Sequence, residues 1–316
     1  MAEQKRFERL KAEDPLVIEL ASGKHEWWNT LVSRLFEYPE LSIQVRGDYL
    51  SVYYRMGSLL TIQLRNKEVV CSIHYKYLID SHSPEYVDVT PSGSDLAVTH
   101  QKTCNLVTSI LEEKNFKRIR SNIAALAGEE KRIQSNLVEI NRRTLLDAEI
   151  AFNDSGTETD PEEENAPSSG NTRIDLVNYD KNHNKLVFVE LKQIFDKRLY
   201  SDSKGFKEVN EQIAKYTAFA EIHKDEIIKA YNNVIEVKKK LKLLPDSWAL
   251  ASAKIERVET KPILAIAAYR QDIIDALKVK VRKNLNIDGL AALYFFGSGV
   301  DLNLAQDKNK ELNINN

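Results

Sequence analysis

Apolar and polar positions recur along this chain with two periods, one helical and one of extended strand. Between residues 15 and 37, Trp27, Trp28, Leu31, Val32, Leu35 and Phe36 form a stripe at helical spacing. That spacing predicts a helix burying both tryptophans in a core. Three β-like runs follow, Tyr49 to Tyr54, Leu59 to Leu64 and Val69 to Leu78, separated by the turn-like sequences Met56-Gly57-Ser58 and Arg65-Asn66-Lys67. They predict an antiparallel meander behind a helix, with Arg46, Arg55, Arg65, Lys67 and Lys76 on its edges. Ser81 to Ser94, rich in Pro, Ser and Asp, reads as a connector. Leu96 to Lys117 reads as mostly helical, with Leu106, Ile110 and Leu111 as its apolar contacts, and a domain boundary is placed near residue 105.

The second half is patterned differently. Gly128-Glu129-Glu130 opens a helix with acids in its first turn, as the helix dipole prefers, and Ile133, Leu137 and Ile140 form its apolar face. Thr144 to Phe152 reads as a strand, and Asn153 to Asn171 as an acidic surface loop without periodicity. Arg173 to Val177 and Leu186 to Lys192 read as strands joined through Asp180-Lys181-Asn182-His183-Asn184, residues that tolerate tight turns and so predict a hairpin. Helices are expected over Lys207 to His223, with Val209, Ile213, Tyr216 and Ala220 inward, and over about Asp225 to Leu244. A buried strand over Pro262 to Tyr269, a helix over Asp272 to Lys283 and a strand over Leu290 to Phe296 complete the pattern, ahead of a polar, fraying tail from Asp301 to Asn316. The expected fold is α/β: a small α+β domain over residues 1–105, then a mixed central sheet flanked by helices over 106–300.

Candidate chemistry centres on the hairpin. Period-2 alternation puts Phe188, Glu190 and Lys192 on one face of their strand and Val187, Val189 and Leu191 on the other. A strand so apolar on both faces belongs inside a sheet, where charges are costly unless paired or metal-bound. The hairpin would bring Asp175 alongside Glu190 and Lys192. Two adjacent carboxylates make a hard-oxygen site suited to Mg²⁺, and a neighbouring ammonium can stabilise a developing anion. A buried ion pair that merely closes the sheet is the structural alternative.

Asp175, fourteen intervening residues, then Glu190-Leu191-Lys192 resembles the PD-(D/E)XK nuclease superfamily, with Ile174 where the motif name has proline. The resemblance implies a restriction-endonuclease-like core. It further implies Asp175, Glu190 and the Leu191 carbonyl as ligands of Mg²⁺ or Mn²⁺, with Lys192 orienting the attacking water or steadying the phosphate charge. Gln212 and Tyr216, at i and i+4 on one helix face, resemble the Gln-x-x-x-Tyr motif of RecB-like members, in which the glutamine lies near the metal site. The order of a helix, a strand, Arg-Ile-Asp-Leu and Val-Glu-Leu-Lys is similar to that of NucS-type endonucleases, and covers residues 128 to about 220. In many members a glutamate opening such a helix reaches the metal, which makes Glu130 a candidate. Glu149 competes as the third carboxylate, although alternation groups it with Asp147 and Ala151 on a face that can equally be solvated. The implied function is metal-dependent hydrolysis of DNA, with RNA an open alternative, in repair or defence against foreign DNA. Homodimers are common in the superfamily. A non-catalytic nucleic-acid- or protein-binding scaffold on the same fold is the competing reading.

Composition adds limits. At 316 residues, 42% hydrophobic and 29% charged, the chain has the make-up of an ordinary globular protein and room for two cores. A net charge of −2 gives no global field for nucleic acid, so binding would need local patches such as Lys238 to Lys242 or Lys278 to Lys283, which equally suit solvated helix faces. Two cysteines, Cys71 and Cys104, without metal-ligand spacing suit a reducing cytoplasm. With no apolar signal region after Met1 and no membrane-length apolar run, the expectation is a cytoplasmic protein without a membrane anchor. Nothing resembles a P-loop, a zinc cluster or a serine-hydrolase elbow.

Overall fold

A computed structural model describes residues 7–78, 86–98, 109–152, 158–159, 172–199, 203–267, 271–297, 302 and 304. They form an α/β protein with two sheets and several helices. Contacts divide the chain into two compact units, one drawn from residues 9–135 and 233–245, the other from 1–8, 136–232 and 246–316.

The first unit holds α1 (Pro15–Ala21), α2 (Glu26–Glu37), β1 (Leu41–Val45), β2 (Tyr49–Tyr54), β3 (Gly57–Arg65), β4 (Glu68–His74), β5 (Tyr86–Ser92), β6 (Asp95–Val98) and α3 (Glu113–Leu126). Its six strands lie side by side in chain order, every neighbour antiparallel. The β2–β3 and β3–β4 links are two-residue turns with positive φ at both positions, Arg55 and Met56 (48° and 60°), then Asn66 and Lys67 (51° and 69°). Turns of this kind twist in the sense that pairs antiparallel strands. α3 lies against β3 so closely that a Cβ on Gly57 would run into the Ile123 side chain.

The expected meander is present but larger. The span 15–37 is two helices, broken at Gly23 in the left-handed region (φ 79°); the tryptophan stripe lies on α2, where Trp27 and Trp28 are both buried. The expected connector contains β5, whose Val87 and Val89 are buried between exposed Tyr86, Asp88 and Thr90. That alternation is short and sits among polar turn formers, so composition masks it. Leu96 belongs to strand β6, and α3 begins only at Glu113. Leu106, Cys104 and the boundary near residue 105 lie outside the described residues. Arg46 is no edge residue: it is 0% exposed, its guanidinium 6.0 Å from the Tyr53 ring centroid.

The second unit is built on α4 (Glu129–Asn141, from Asn136 onward), β7 (Leu145–Phe152), β8 (Glu158–Thr159), β9 (Thr172–Asp180), β10 (Lys185–Gln193), α5 (Ser203–Lys240, through Asn232), β11 (Arg257–Ala267), α6 (Gln271–Asn284) and β12 (Ala292–Phe296). Its sheet order is β12-β11-β10-β9-β7-β8; β10, β11 and β12 are mutually parallel and the other neighbours antiparallel. β10 is therefore interior, as its two apolar faces demand. Its hairpin with β9 closes through Asn184 at φ 50°, whose side-chain oxygen accepts from the Tyr179 hydroxyl at 2.7 Å. Ile194, Phe206, Val209, Ile213, Leu264 and Ile266 form a core with Leu277 and Val281 of α6.

Three expectations change in this half. The two helices predicted after the hairpin are one, α5, because no Gly, Pro or cap interrupts the stripe through Phe219, Ala220, Ile227 and Tyr231. In the expected acidic loop 153–171 only Glu158–Thr159 is described, and it is strand β8. In the tail, Leu302 is buried, and Asn141 donates to its carbonyl (3.1 Å) and accepts from the Leu304 N–H (2.6 Å). The rest of the tail lies outside the described residues. Among the described residues no helix is long and apolar enough to cross a membrane.

Candidate active site

The site forms where β9 and β10 end their ladder. Val189 pairs with Leu176, and one step further sets Glu190 beside Asp175. On the other flank of β9, Ala148 pairs with Leu176 and Ile150 with Ile174, so Glu149 falls opposite Asp175. Three acids thus stand in a row across three adjacent strands.

The row depends on a defect in β7. The register slips between Leu145 and Asp147, and Glu149 itself has φ 57°, a backbone state that L residues occupy at some cost. Strict alternation fails there: Asp147, grouped with Glu149 by alternation, is 1% exposed and accepts from Tyr231 at 3.2 Å, while Glu149 is half-buried with its charge acting on Asp175. Nothing in the residue pattern announced the bulge.

Asp175 accepts the Leu191 N–H through Oδ2 at 2.6 Å. Its carboxyl is held well above the usual range, first by burial and then by Glu190, against the opposing pull of Lys192. Glu190 and Lys192 are 2% and 5% exposed and form a direct ion pair through Oε1. Lys192 Nζ also lies 3.4 Å from the Leu191 carbonyl.

α5 completes the site. The buried Tyr216 hydroxyl shares its one proton between the Arg173 carbonyl and Glu190 Oε2, the latter at 2.5 Å. Burial, then Glu190 and Asp175, raise its pKa well above the ordinary phenol value. Gln212 Nε2 donates to that hydroxyl at 2.7 Å, while Gln212 Oε1 is buried without a hydrogen-bond partner among the described residues. A buried acceptor left unpaired is costly, and it readily takes a donor from water or a bound molecule. The structure thus brings together Asp175, Glu190, Leu191, Lys192, Gln212 and Tyr216, with Glu149 across β9. Glu130 is exposed in the first turn of α4.

A row of three acids, its central carboxyl raised first by burial and then by Glu190, offers the oxygen donors that a hard divalent cation takes. Asp175, Glu190 and the Leu191 carbonyl would hold it. Among the described residues, however, no three His, Cys, Asp or Glu side chains are gathered closely enough to hold a metal. Both Glu190 oxygens are engaged, one by Lys192 and one by Tyr216.

The basic runs divide. Lys238 is buried, Lys239 pairs with Glu236 (2.9 Å) and Lys240 donates to the Ala12 carbonyl (2.7 Å), so that run serves the end of α5. On α6, Lys280 and Lys283 are exposed, and Lys283 lines a groove of about 470 Å³ with Lys207, Asn210, Glu211, Ala214 and Asn284. No family model matches the chain, and no curated protein or solved structure is significantly similar to it.

Proposed function

We propose that the protein is a Mg²⁺-dependent nuclease of the PD-(D/E)XK type, with a restriction-endonuclease-like second unit, hydrolysing DNA phosphodiesters. The observation that carries this reading is the convergence of half-buried Asp175 with buried Glu190 and Lys192 at the end of one hairpin, with Gln212 and Tyr216 brought in from a separate helix. Buried charges with perturbed protonation gather at functional sites more often than elsewhere.

A bound divalent cation would supply charge stabilisation and a more acidic water. The protein's own groups have separable tasks. The Leu191 N–H fixes the orientation of Asp175, and Tyr216 fixes that of Glu190. Lys192, held by Glu190 and lying near the Leu191 carbonyl, presents an ammonium where negative charge develops on the phosphate. Gln212 Oε1 offers an acceptor to a water or a substrate donor. A homodimer and a role in repair or in defence against foreign DNA belong to the same reading, by family analogy.

One observation favours the scaffold reading. Both oxygens of Glu190 are already engaged and no three-acid cluster converges among the described residues, as expected of an ion pair that only closes the sheet. Incubating plasmid and linear DNA with Mg²⁺ or Mn²⁺, and separately with EDTA, decides between them. Metal-dependent, EDTA-sensitive cleavage supports the nuclease, and intact DNA under every condition supports the scaffold.

A further inference from the structure

Strand β7 carries an extra residue relative to β9. Leu145 pairs with Asn178 and Asp147 with Val177, which leaves Leu146 unmatched. A regular ladder continued from Leu145 would set Ala148 opposite Asp175 and turn Glu149 to the other face of the sheet, because side chains alternate along a strand. With the extra residue, Ala148 pairs with Leu176 and Ile150 with Ile174, and Glu149 stands opposite Asp175. The bulge alone decides whether the third acid joins the row. Bulges recur beside active sites in this role, re-aiming one side chain.

The residue at the bulge is itself a buried acid. Asp147, 1% exposed, sits between buried Leu146 and Ala148 and across from buried Val177. Its Oδ1 accepts the Ala148 N–H at 2.8 Å, and its Oδ2 accepts the Tyr231 hydroxyl of α5 at 3.2 Å. Tyr231 is fully buried, its ring centroid 5.8 Å from that of Phe7. A carboxylate in apolar surroundings is costly even with donors to meet it, and a regular strand would carry an apolar residue there. The backbone adds its own cost at Glu149, whose φ of 57° lies in the left-handed region. A buried acid, a bulge and a strained residue follow one another along β7, and all of them act on where Glu149 stands.

We propose that Asp147 and Tyr231 are positioning residues that lock the β7 bulge and so bring Glu149 to the cation site beside Asp175. This rests on the nuclease reading and adds a support for it outside the row of acids. Tyr231 acts through Asp147, as groups behind a metal centre tune it by orienting those in front. Among the described residues the acids are not gathered to ligand spacing, so Glu149 serves by its charge and as an acceptor for a water on the ion rather than as a direct ligand.

The test is Mn²⁺ calorimetry on the full chain, beside thermal melts in EDTA. It compares wild type, Glu149→Gln, Tyr231→Phe, Asp147→Asn and the double variant that combines Tyr231→Phe with Glu149→Gln. Glu149→Gln and Tyr231→Phe should each bind Mn²⁺ about tenfold more weakly than wild type. In the double variant the Tyr231 change should add no further loss, because the charge it positions is already gone. Asp147→Asn keeps the shape but gives up one of two acceptors, and should behave like Tyr231→Phe. A pair that serves only the fold would lower melting and leave Mn²⁺ affinity alone, or lower affinity by the same factor with and without Glu149→Gln. Either result overturns the proposal, as does Glu149→Gln binding like wild type. Failure of both Tyr231→Phe and Asp147→Asn to fold assigns the pair to stability and overturns it as well. Where wild type binds Mn²⁺ and cuts DNA, these results remove this inference alone. A wild type that neither binds Mn²⁺ nor cuts DNA removes the nuclease reading with it.

Discussion

Strand β10 carries a lysine–glutamate pair at each end, and the two pairs live in different solvents. Lys185 meets Glu259 of β11 at 2.8 Å with both side chains about a quarter exposed (26% and 28%). Lys192 meets Glu190 with side chains 4% and 2% exposed. At the wet end each charge keeps much of its water, and such pairs contribute roughly 0–1 kcal/mol. At the dry end both charges have lost theirs, and one ammonium must answer two carboxyls, because Asp175 shares the space. Burial first, and Glu190 second, hold the Asp175 carboxyl above its usual range despite that ammonium. Apolar residues would fill the same volume at least as stably, so a dry, under-neutralised pair is better explained by chemistry than by stability.

The largest expected effect of breaking this contrast is at Lys192. If the dry pair is catalytic, Lys192→Ala lowers turnover on the order of 10²- to 10³-fold and leaves metal binding in place. If it is only structural, the same change strands two buried acids and costs about 3–5 kcal/mol of stability. Nuclease assays beside thermal melts, in Mg²⁺ and in EDTA, separate the two.

Tyr216 comes next. Tyr216→Ala opens a cavity where a fully buried ring was and should cost about 3–5 kcal/mol in urea unfolding. Tyr216→Phe keeps the ring but leaves Glu190 Oε2 short of a donor, for about 1–3 kcal/mol. Equal stability in wild type and Tyr216→Phe would show that the hydroxyl does not restrain Glu190. Gln212→Ala should slow cleavage by about tenfold with little change in melting, since its amide makes one hydrogen bond within the site. A fully active variant would separate Gln212 from the chemistry.

A pH series tests the raised Asp175 carboxyl directly. The folded carboxyl of Asp175 lies above its unfolded value of about 3.9. Between those two values the folded state binds more protons, so without metal the protein loses stability as pH rises through the window. Urea midpoints in EDTA should therefore fall over that range in wild type, and the fall should flatten in Asp175→Asn. An unchanged slope in the variant would assign the titration elsewhere. At the wet end, Lys185→Ala should change stability by less than about 1 kcal/mol and leave cleavage unaltered; a larger change in either would erase the distinction between the two ends.

What the residue pattern disclosed follows the same physics. The apolar runs around Glu190, the turn formers from Asp180 to Asn184 and the i, i+4 pair of Gln212 and Tyr216 are local signals, and all of them led to elements now seen side by side. The place of Glu149 was hidden because a register slip and a left-handed residue override period-2 alternation, and neither leaves a mark in composition. The polar stretch around Lys224 divides the pattern in two, yet it lacks any residue that ends a helix, and α5 runs through it unbroken.

Under the proposed nuclease reading, the dry end of β10 binds a divalent cation. Calorimetric titration of Mn²⁺ into wild type, Asp175→Ala and Glu190→Gln tests it most directly, with each variant first checked for a folded melting transition. Measurable binding by wild type and a large loss in both variants are expected. Equal binding by all three, or none by wild type, would contradict it.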